Sequence, residues 1–239
     1  MLDGFHHFGL DGAILDVMLR YRSIYIPVVN THVDRARNKI VRRGFEQFRK
    51  EYGEEPDWFL FLDDDMEIRL HLQNVCERLM AHDRDIVGSF YCTKKHRTPV
   101  FGWWDGGVRM WEPHTLLEVD FVGFGCTAIK AEVFKGMQDE PWEDIFPPAS
   151  SGKTPKPPHN WFDSTKIDGM ELRADLYFCR RAQEYGYKVW VDTSIFLGHA
   201  GAVVYPEAHM LPSQQIGEQE DAKEVTGAGD SSGVVISGS

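Results

Sequence analysis

The sequence predicts an α/β fold with a mixed, mainly parallel sheet flanked by helices. Short apolar runs alternate with helical patterns through the first 135 residues, which is typical of βαβ units. A chain of 239 residues with 42% hydrophobic content can bury a sizeable core. No repeat recurs at a period of about 20 to 50 residues, which excludes solenoids and propellers.

The first half of the chain carries the clearest elements. Apolar runs predict strands at residues 23–29, 58–62 and 85–90. Amphipathic helices are expected at 34–50 and 70–81. On the first helix, one face repeats at a 3.6-residue period through Ile40, Val41, Gly44, Phe45 and Phe48. Because this helix follows a strand, it should begin at the carboxyl edge of the sheet, where open α/β folds bind ligands.

The second half shows more turns. The segment VFGWW, then DGG, then VRMWEP predicts a hairpin, because Asp-Gly supplies the positive φ of a tight turn. LLEVDFV follows as a strand, and the proline-rich stretch 147–160 is expected to be a long loop that acts as a lid or binding segment. A helix over about 173–185 should end at Gly186 in the left-handed conformation. KVWVDTSIFLGH then predicts one or two strands.

These elements predict a single catalytic domain over residues 1–212. Residues 213–239 contain Gly, Ser and scattered acids without an aromatic residue, and such a composition predicts a disordered tail. The opening MLDGFHHFGLDGAILD is a poor strand, so either the first strand is irregular or the chain begins after it.

Composition excludes several classes of function. The chain has 37 acidic and 26 basic residues. The resulting net charge of -11 argues against a protein that binds nucleic acid through its overall charge. No apolar run approaches the roughly 18 residues of a membrane span, and no signal peptide is evident, so a cytoplasmic location is expected. The four cysteines have neither CxxC spacing nor a disulfide framework, which predicts reduced, buried thiols.

Three consecutive carboxylates follow the buried strand WFLFL. Asp63, Asp64 and Asp65 should therefore lie at the carboxyl end of a central strand. Their mutual repulsion would be relieved by Mg²⁺ or Mn²⁺, which prefer oxygen ligands and commonly bridge to phosphates. The alternative is a solvated acidic turn in which Asp65 or Glu67 caps the next helix.

Four segments in chain order resemble the nucleotide-sugar-dependent glycosyltransferases of the GT-A fold, family 2-like type. They are VDRARNKIV from Val33, WFLFLDDDM from Trp58, VDFVGFGCTAIKAEVF from Val119, and ADLYFCRRAQEYGYKVWVDTSIFLGH from Ala174. The resemblance implies a metal-dependent transfer of a sugar from a nucleoside diphosphate, with a UDP-sugar favoured, to an acceptor hydroxyl. The DDDM segment looks like the DxD motif of that family. Asp63 and Asp64 would then contact the nucleotide, and Asp65 would bind the metal.

The last segment resembles the part of those enzymes that carries the general base. Asp175 matches the second acid of a pair, and its role would give inversion at the anomeric carbon. The partner position is Ala174 where the pattern often has Glu, so Asp168 or Glu171 remains an alternative base. An acid near a helix N-terminus stays ionised at neutral pH and can accept a hydroxyl proton. The alternative for Asp175 is an ordinary first-turn acid.

Further site residues come from the same resemblance or, for Lys95, from local charge. His199 resembles the third metal contact, and an imidazole would favour Mn²⁺ over Mg²⁺. In the resembling family the segment that matches the one around Arg37 borders the nucleotide pocket, so Arg37 would lie beside the nucleotide. The alternative for Arg37 is helix capping and a surface ion pair. Asp120 would contact sugar hydroxyls. Lys95, in the basic run 94–97, would screen a pyrophosphate or an anionic acceptor, although a charge run is more often a solvated face.

Two other functions fit parts of the sequence. A nucleotidyltransferase would use the same acids, but it would need a Gly-rich triphosphate loop near the first strand, and none is present. A sugar- or nucleotide-binding module without activity is the second alternative.

The acceptor stays open among a saccharide, a protein, a small molecule and a modified nucleobase. Trp142 and Trp161, which flank the proline-rich loop, are candidates for stacking on a sugar or base.

Overall fold

A computed structural model describes residues 14–15, 17–68, 72–94, 97–107, 109–167, 169–199 and 231–237. Its main element is a seven-stranded sheet. In spatial order the strands are β1 (Arg22–Val28), β13 (Ser231–Ser237), β2 (Trp58–Asp63), β8 (Cys126–Lys130), β4 (Ile86–Phe90), β11 (Val189–Phe196) and β6 (Leu116–Val119). Three two-stranded pairs join β3 (Met66–Glu67) to β12 (Gly198–His199), β5 (Phe101–Gly102) to β7 (Phe121–Val122), and β9 (Thr165–Ile167) to β10 (Met170–Leu172).

Five helices flank these strands in the described part of the chain. They are α1 (Val33–Tyr52), α2 (Leu72–Ala81), α3 (Ala131–Gly136), α4 (Trp142–Ile145) and α5 (Ala174–Glu184). Residues 14–15 and 17–20 are also helical, and Ala149–Ser151 form a 3₁₀ turn within the proline-rich loop. The predicted helices at 34–50, 70–81 and 173–185 therefore correspond to α1, α2 and α5.

The α/β class is confirmed, but the prediction of a mainly parallel sheet is wrong. Of the neighbouring pairs in the large sheet, only β4 and β11 run parallel. The strands β13, β8 and β6 run opposite to β1, β2, β4 and β11 and separate most of them. Each of the latter four still points its carboxyl end to the same edge, because two antiparallel steps restore the direction.

Helices cover both faces of the sheet, which explains why its strands are apolar on both sides. Within β2, Phe59 and Phe61 pack on the face of α1 and α5, whereas Leu60 and Leu62 pack on the face of α2. In β1, Pro27 is tolerated because the strand lies at the edge of the sheet, where a missing N–H costs little.

The C-terminal residues differ from the expected tail. Ser231–Ser237 lie inside the sheet, paired antiparallel with β1 on one side and β2 on the other. Val234, Val235 and Ile236 are buried, and the strand has a hydrogen-bonded neighbour on each side. This corrects the tail prediction for residues 231–237. Residues 213–230 and 238–239 lie outside the described part.

The predicted hairpin is also corrected. Gly106 does form a turn with φ of 66°, and its N–H donates to the Trp103 carbonyl at 3.0 Å. The strand before that turn, β5, pairs instead with β7, while residues 109–113 lie in no strand. The LLEVDFV run forms two strands, β6 and β7, because the chain turns at Asp120.

All four cysteines are buried and free, as predicted. Burial raises the pKa of Cys126 and of Cys179 to about 12, so both thiols stay protonated at neutral pH. Among the helices of the described part, none is both long and apolar enough to cross a membrane.

Candidate functional site

The acidic cluster lies at the carboxyl edge of the sheet, as the sequence predicted. Asp63 is the last residue of β2, and its N–H donates to the Gly125 carbonyl at 3.0 Å. Asp64 and Asp65 form the turn that joins β2 to β3. Because β1, β4 and β11 also end at this edge, the segments that follow them meet the cluster.

Asp65 and His199 meet at this edge although 134 residues separate them. In the pairing of β3 with β12, His199 lies opposite Met66, the residue after Asp65. His199 Nε2 is 3.2 Å from Asp65 Oδ2, and Lys94 Nζ is 2.7 Å from the same oxygen. Two residues predicted as metal ligands are therefore brought together.

The other ring nitrogen of His199 is held by the backbone. Nδ1 lies 3.0 Å from the carbonyl oxygen of Cys92, and a carbonyl can only accept, so Nδ1 carries a hydrogen. In the neutral imidazole the Nε2 lone pair then faces the Asp65 carboxylate. A proton or a metal cation between these two acceptors would relieve their repulsion.

The separation of these two atoms fits a small divalent cation. Two ligand bonds of about 2.1 Å at right angles place their ligand atoms roughly 3 Å apart, close to the observed spacing. Among the described residues, however, no group of three or more His, Cys, Asp or Glu side chains has the arrangement of a metal site. A cation here would have two protein ligands and would need further oxygens from a bound ligand and water.

The Asp65 carboxylate is ionised at neutral pH. Burial alone would raise its pKa, but hydrogen bonds from the doubly protonated form of His199 and from Lys94 outweigh that effect and lower the pKa to about 2. Negative charge is therefore present at the edge across the physiological range.

Arg37 connects two further acids of the predicted site. Its side chain is 2% exposed, and its guanidinium forms an ion pair with Asp175 Oδ1 and lies 3.5 Å from Asp63 Oδ2. The guanidinium also lies 5.1 Å from the ring centre of Phe124. The apolar side of α1 thus places Arg37 inside the molecule, where its positive charge compensates two carboxylates.

Asp175 lies in the first turn of α5, and about a fifth of its side chain is exposed. Its Oδ2 accepts a hydrogen bond from the Phe124 N–H at 3.1 Å, so both carboxylate oxygens have partners. Of the alternative bases, Glu171 lies in β10 and is exposed, and Asp168 lies outside the described residues.

Asp120 is not part of this group. Val119, the residue before it, pairs with Val189 at the start of β11, whereas His199 follows the end of that strand. The length of β11 is eight residues, or about 25 Å, so Asp120 lies near the opposite edge of the sheet. Its carboxylate accepts hydrogen bonds from Trp104 N at 2.8 Å and Gln183 Nε2 at 3.3 Å. Lys95 lies outside the described residues.

Of the two candidate stacking residues, Trp161 is buried and Trp142 is partly buried against the core. Trp161 is 1% exposed and donates from Nε1 to the Phe134 carbonyl. Trp142 packs edge-on against Phe45 and donates to Glu55. Both therefore hold the helices of one face together.

One contributor to the edge was not predicted. Tyr91 follows β4 directly, its ring contacts His199 edge-on, and its hydroxyl accepts the Gly125 N–H at 3.0 Å. Burial and the negative charge of Asp63 raise its pKa, so the hydroxyl stays protonated. A side chain added at Gly125 would lie 2.8 Å from the Tyr91 ring, so this glycine makes room for the tyrosine. The position of Tyr91 after a buried strand was the available signal.

No family model matches the chain, and no curated protein matches it either. Among solved structures, the chain is similar to the crystal structure of A197 from STIV. The TM-score is 0.45 and the sequence identity 18%, over 81% of this chain and 83% of that one.

Removal of the Arg37 charge should destabilise the protein. In Arg37→Met the Asp63 and Asp175 carboxylates lose their shared cation, and we expect the free energy of unfolding in urea to fall by about 3 kcal/mol. The double variant Arg37→Met/Asp175→Asn should recover at least about 1 kcal/mol relative to the sum of the two single changes. Additive effects would contradict the ion pair.

Proposed function

We propose that the chain is a metal-dependent glycosyltransferase that moves a sugar from a nucleoside diphosphate, a UDP-sugar in the favoured case, to an acceptor hydroxyl. The observation that carries the proposal is the 3.2 Å approach of His199 Nε2 to Asp65 Oδ2 at the carboxyl edge of the sheet. Asp63 lies two residues before Asp65, and Arg37 pairs with both Asp63 and Asp175, which supports a common site for these acids.

Asp65 and His199 would hold Mn²⁺ or Mg²⁺, with Mn²⁺ favoured by the imidazole. When bound, such an ion neutralises the charge that develops on the departing diphosphate. The two protein ligands leave most coordination positions for diphosphate oxygens and water, which is the usual arrangement for cations that act on phosphates.

The remaining roles follow from charge and position. Asp63 and Asp64 would bind the nucleotide end of the donor. Lys94, whose ammonium lies 2.7 Å from Asp65, would move to the diphosphate once a divalent cation replaces it beside that carboxylate. Asp175 would accept the proton of the acceptor hydroxyl as the oxygen attacks the anomeric carbon, with inversion. Arg37 would fix the orientation of Asp175.

The acceptor remains within the classes that the sequence left open: a saccharide, a protein, a small molecule or a modified nucleobase. Asp120 and Lys95 stay proposals of the sequence, and the position of Asp120 makes a direct contact with a sugar at the carboxyl edge a poor fit. A cytoplasmic location is part of the same proposal.

Calorimetric titration with UDP in the presence and absence of Mn²⁺ tests this function. The wild type should bind UDP at least tenfold more tightly with Mn²⁺, and Asp65→Ala and His199→Ala should each lose this gain because each removes a metal ligand. Asp105→Asn, an exposed turn acid away from the edge, is the matched control and should retain it. Equal gains in all variants would refute the metal site.

A second candidate is a nucleotide-sugar-binding module that does not transfer. The observation that favours it is the engagement of both Asp175 carboxylate oxygens, one by Arg37 and one by the Phe124 N–H. A carboxylate held in this way can be purely structural.

Slow hydrolysis of donors separates the two candidates. With Mn²⁺ and a panel of UDP-sugars, a transferase should release free sugar over hours, and Asp175→Asn should slow this release by about 10² or more because the general base is lost. UDP affinity should change little in that variant. A wild type that leaves every donor intact while binding UDP would favour the binding module.

A further inference from the structure

A second concave surface lies on the outer side of α1, away from the carboxylate pair. It is a groove of about 530 Å³ between α1 and the segment 160–163. Asn38 fixes its wall: its side-chain oxygen accepts the Trp161 N–H at 2.8 Å, and its side-chain nitrogen donates to the Phe162 carbonyl at 2.7 Å. Since Trp161 is itself buried, the groove is a formed feature of the fold.

Four cations of α1 line this groove, and none of them forms an ion pair with any residue in the described part of the chain. They are Arg35, Lys39, Arg42 and Arg43. The Nε atom of Arg42 is buried and has no hydrogen-bond partner. Several other cations of the described part pair with carboxylates, for example Lys153 with Asp144 at 3.1 Å and Lys156 with Glu140 at 2.6 Å.

The spacing of these cations leaves room for a ligand longer than a single ion. Arg35 and Arg43 are eight residues apart on one helix, which is about 12 Å along its axis. Unpaired guanidinium groups with free N–H donors bind phosphate oxygens in paired hydrogen bonds.

The acidic residues of the groove indicate that the uncharged part of a ligand would carry hydroxyl groups. Asp34, Glu46 and Asp163 also line the groove without pairing with its cations, and they can accept hydrogen bonds from hydroxyl groups. Within the described part of the chain no aromatic ring lines the groove, so these residues offer no surface on which a nucleobase could stack. The net charge of -11 would also repel a long polyanion.

We propose that this groove binds a phosphorylated polyol, a small molecule in which a phosphate group and several hydroxyl groups are held at once. The guanidinium groups of Arg42 and Arg43 take the phosphate, and the carboxylates at the rim take the hydroxyls. The site uses neither Asp65 nor His199 and needs no metal, so it stands whether or not the chain transfers sugars.

Calorimetry with glucose 6-phosphate as the probe, in EDTA and about 0.15 M salt, tests the site. The wild type and Asp65→Ala should bind the probe equally, and glucose without phosphate should bind at least tenfold more weakly. Arg42→Gln/Arg43→Gln should lose at least tenfold in affinity. Lys153→Gln/Lys156→Gln removes the same charge from ion-paired positions and should bind like the wild type.

Lys39→Gln, at an exposed position, gives a second groove variant in case the double variant misfolds, and it should weaken binding by at least threefold. Equal affinity in the groove and control variants would overturn the site. Loss in Asp65→Ala would place the probe at the carboxyl edge and would also overturn it. Preferential binding of a single-stranded 12-mer DNA over the probe would replace the polyol by a nucleic acid and refute the proposal.

Discussion

The buried ion pair of Arg37 is the constraint on which the candidate site depends. A guanidinium that is 2% exposed carries a large desolvation cost, and the cost is offset only if carboxylates reach it inside the molecule. Asp63 comes from the end of β2 and Asp175 from the start of α5, so one cation on α1 fixes three elements relative to one another. The position of each acid at the sheet edge follows from this requirement.

Because Arg37 is buried, Asp63 and Asp65 of the acidic cluster have different partners. Asp63 faces inward to Arg37, and Asp65 faces the solvent side, where His199 and Lys94 approach it. Neighbouring carboxylates therefore do not share one environment, and each has its own source of positive charge. Beside Asp65 the positive charge is the exposed ammonium of Lys94, whereas beside Asp63 it is the buried guanidinium of Arg37.

The sequence predicted much of this arrangement for physical reasons. Helical periodicity located α1, and the apolar run before Asp63 located β2, since both patterns are set by burial of one face or both. Asp65 and His199 were expected to meet because both follow strands that end at one edge. Strand direction was not predictable, because a short apolar run such as Ser231–Ser237 does not encode which neighbours it pairs with. For Arg37 the sequence offered a surface ion pair as one alternative, but not its burial or its partners, because Asp63 and Asp175 are distant from it in the chain.

The proposed function requires that Asp65 and His199 hold a divalent cation together with a nucleoside diphosphate. X-ray diffraction from crystals grown with UDP and Mn²⁺, with data collected at the manganese absorption edge, tests this requirement. An anomalous peak is expected within about 2.3 Å of both Asp65 Oδ2 and His199 Nε2, with diphosphate oxygens completing the coordination. A structure with UDP bound and the manganese peak elsewhere, or with Lys94 still on Asp65 and no peak, would contradict it.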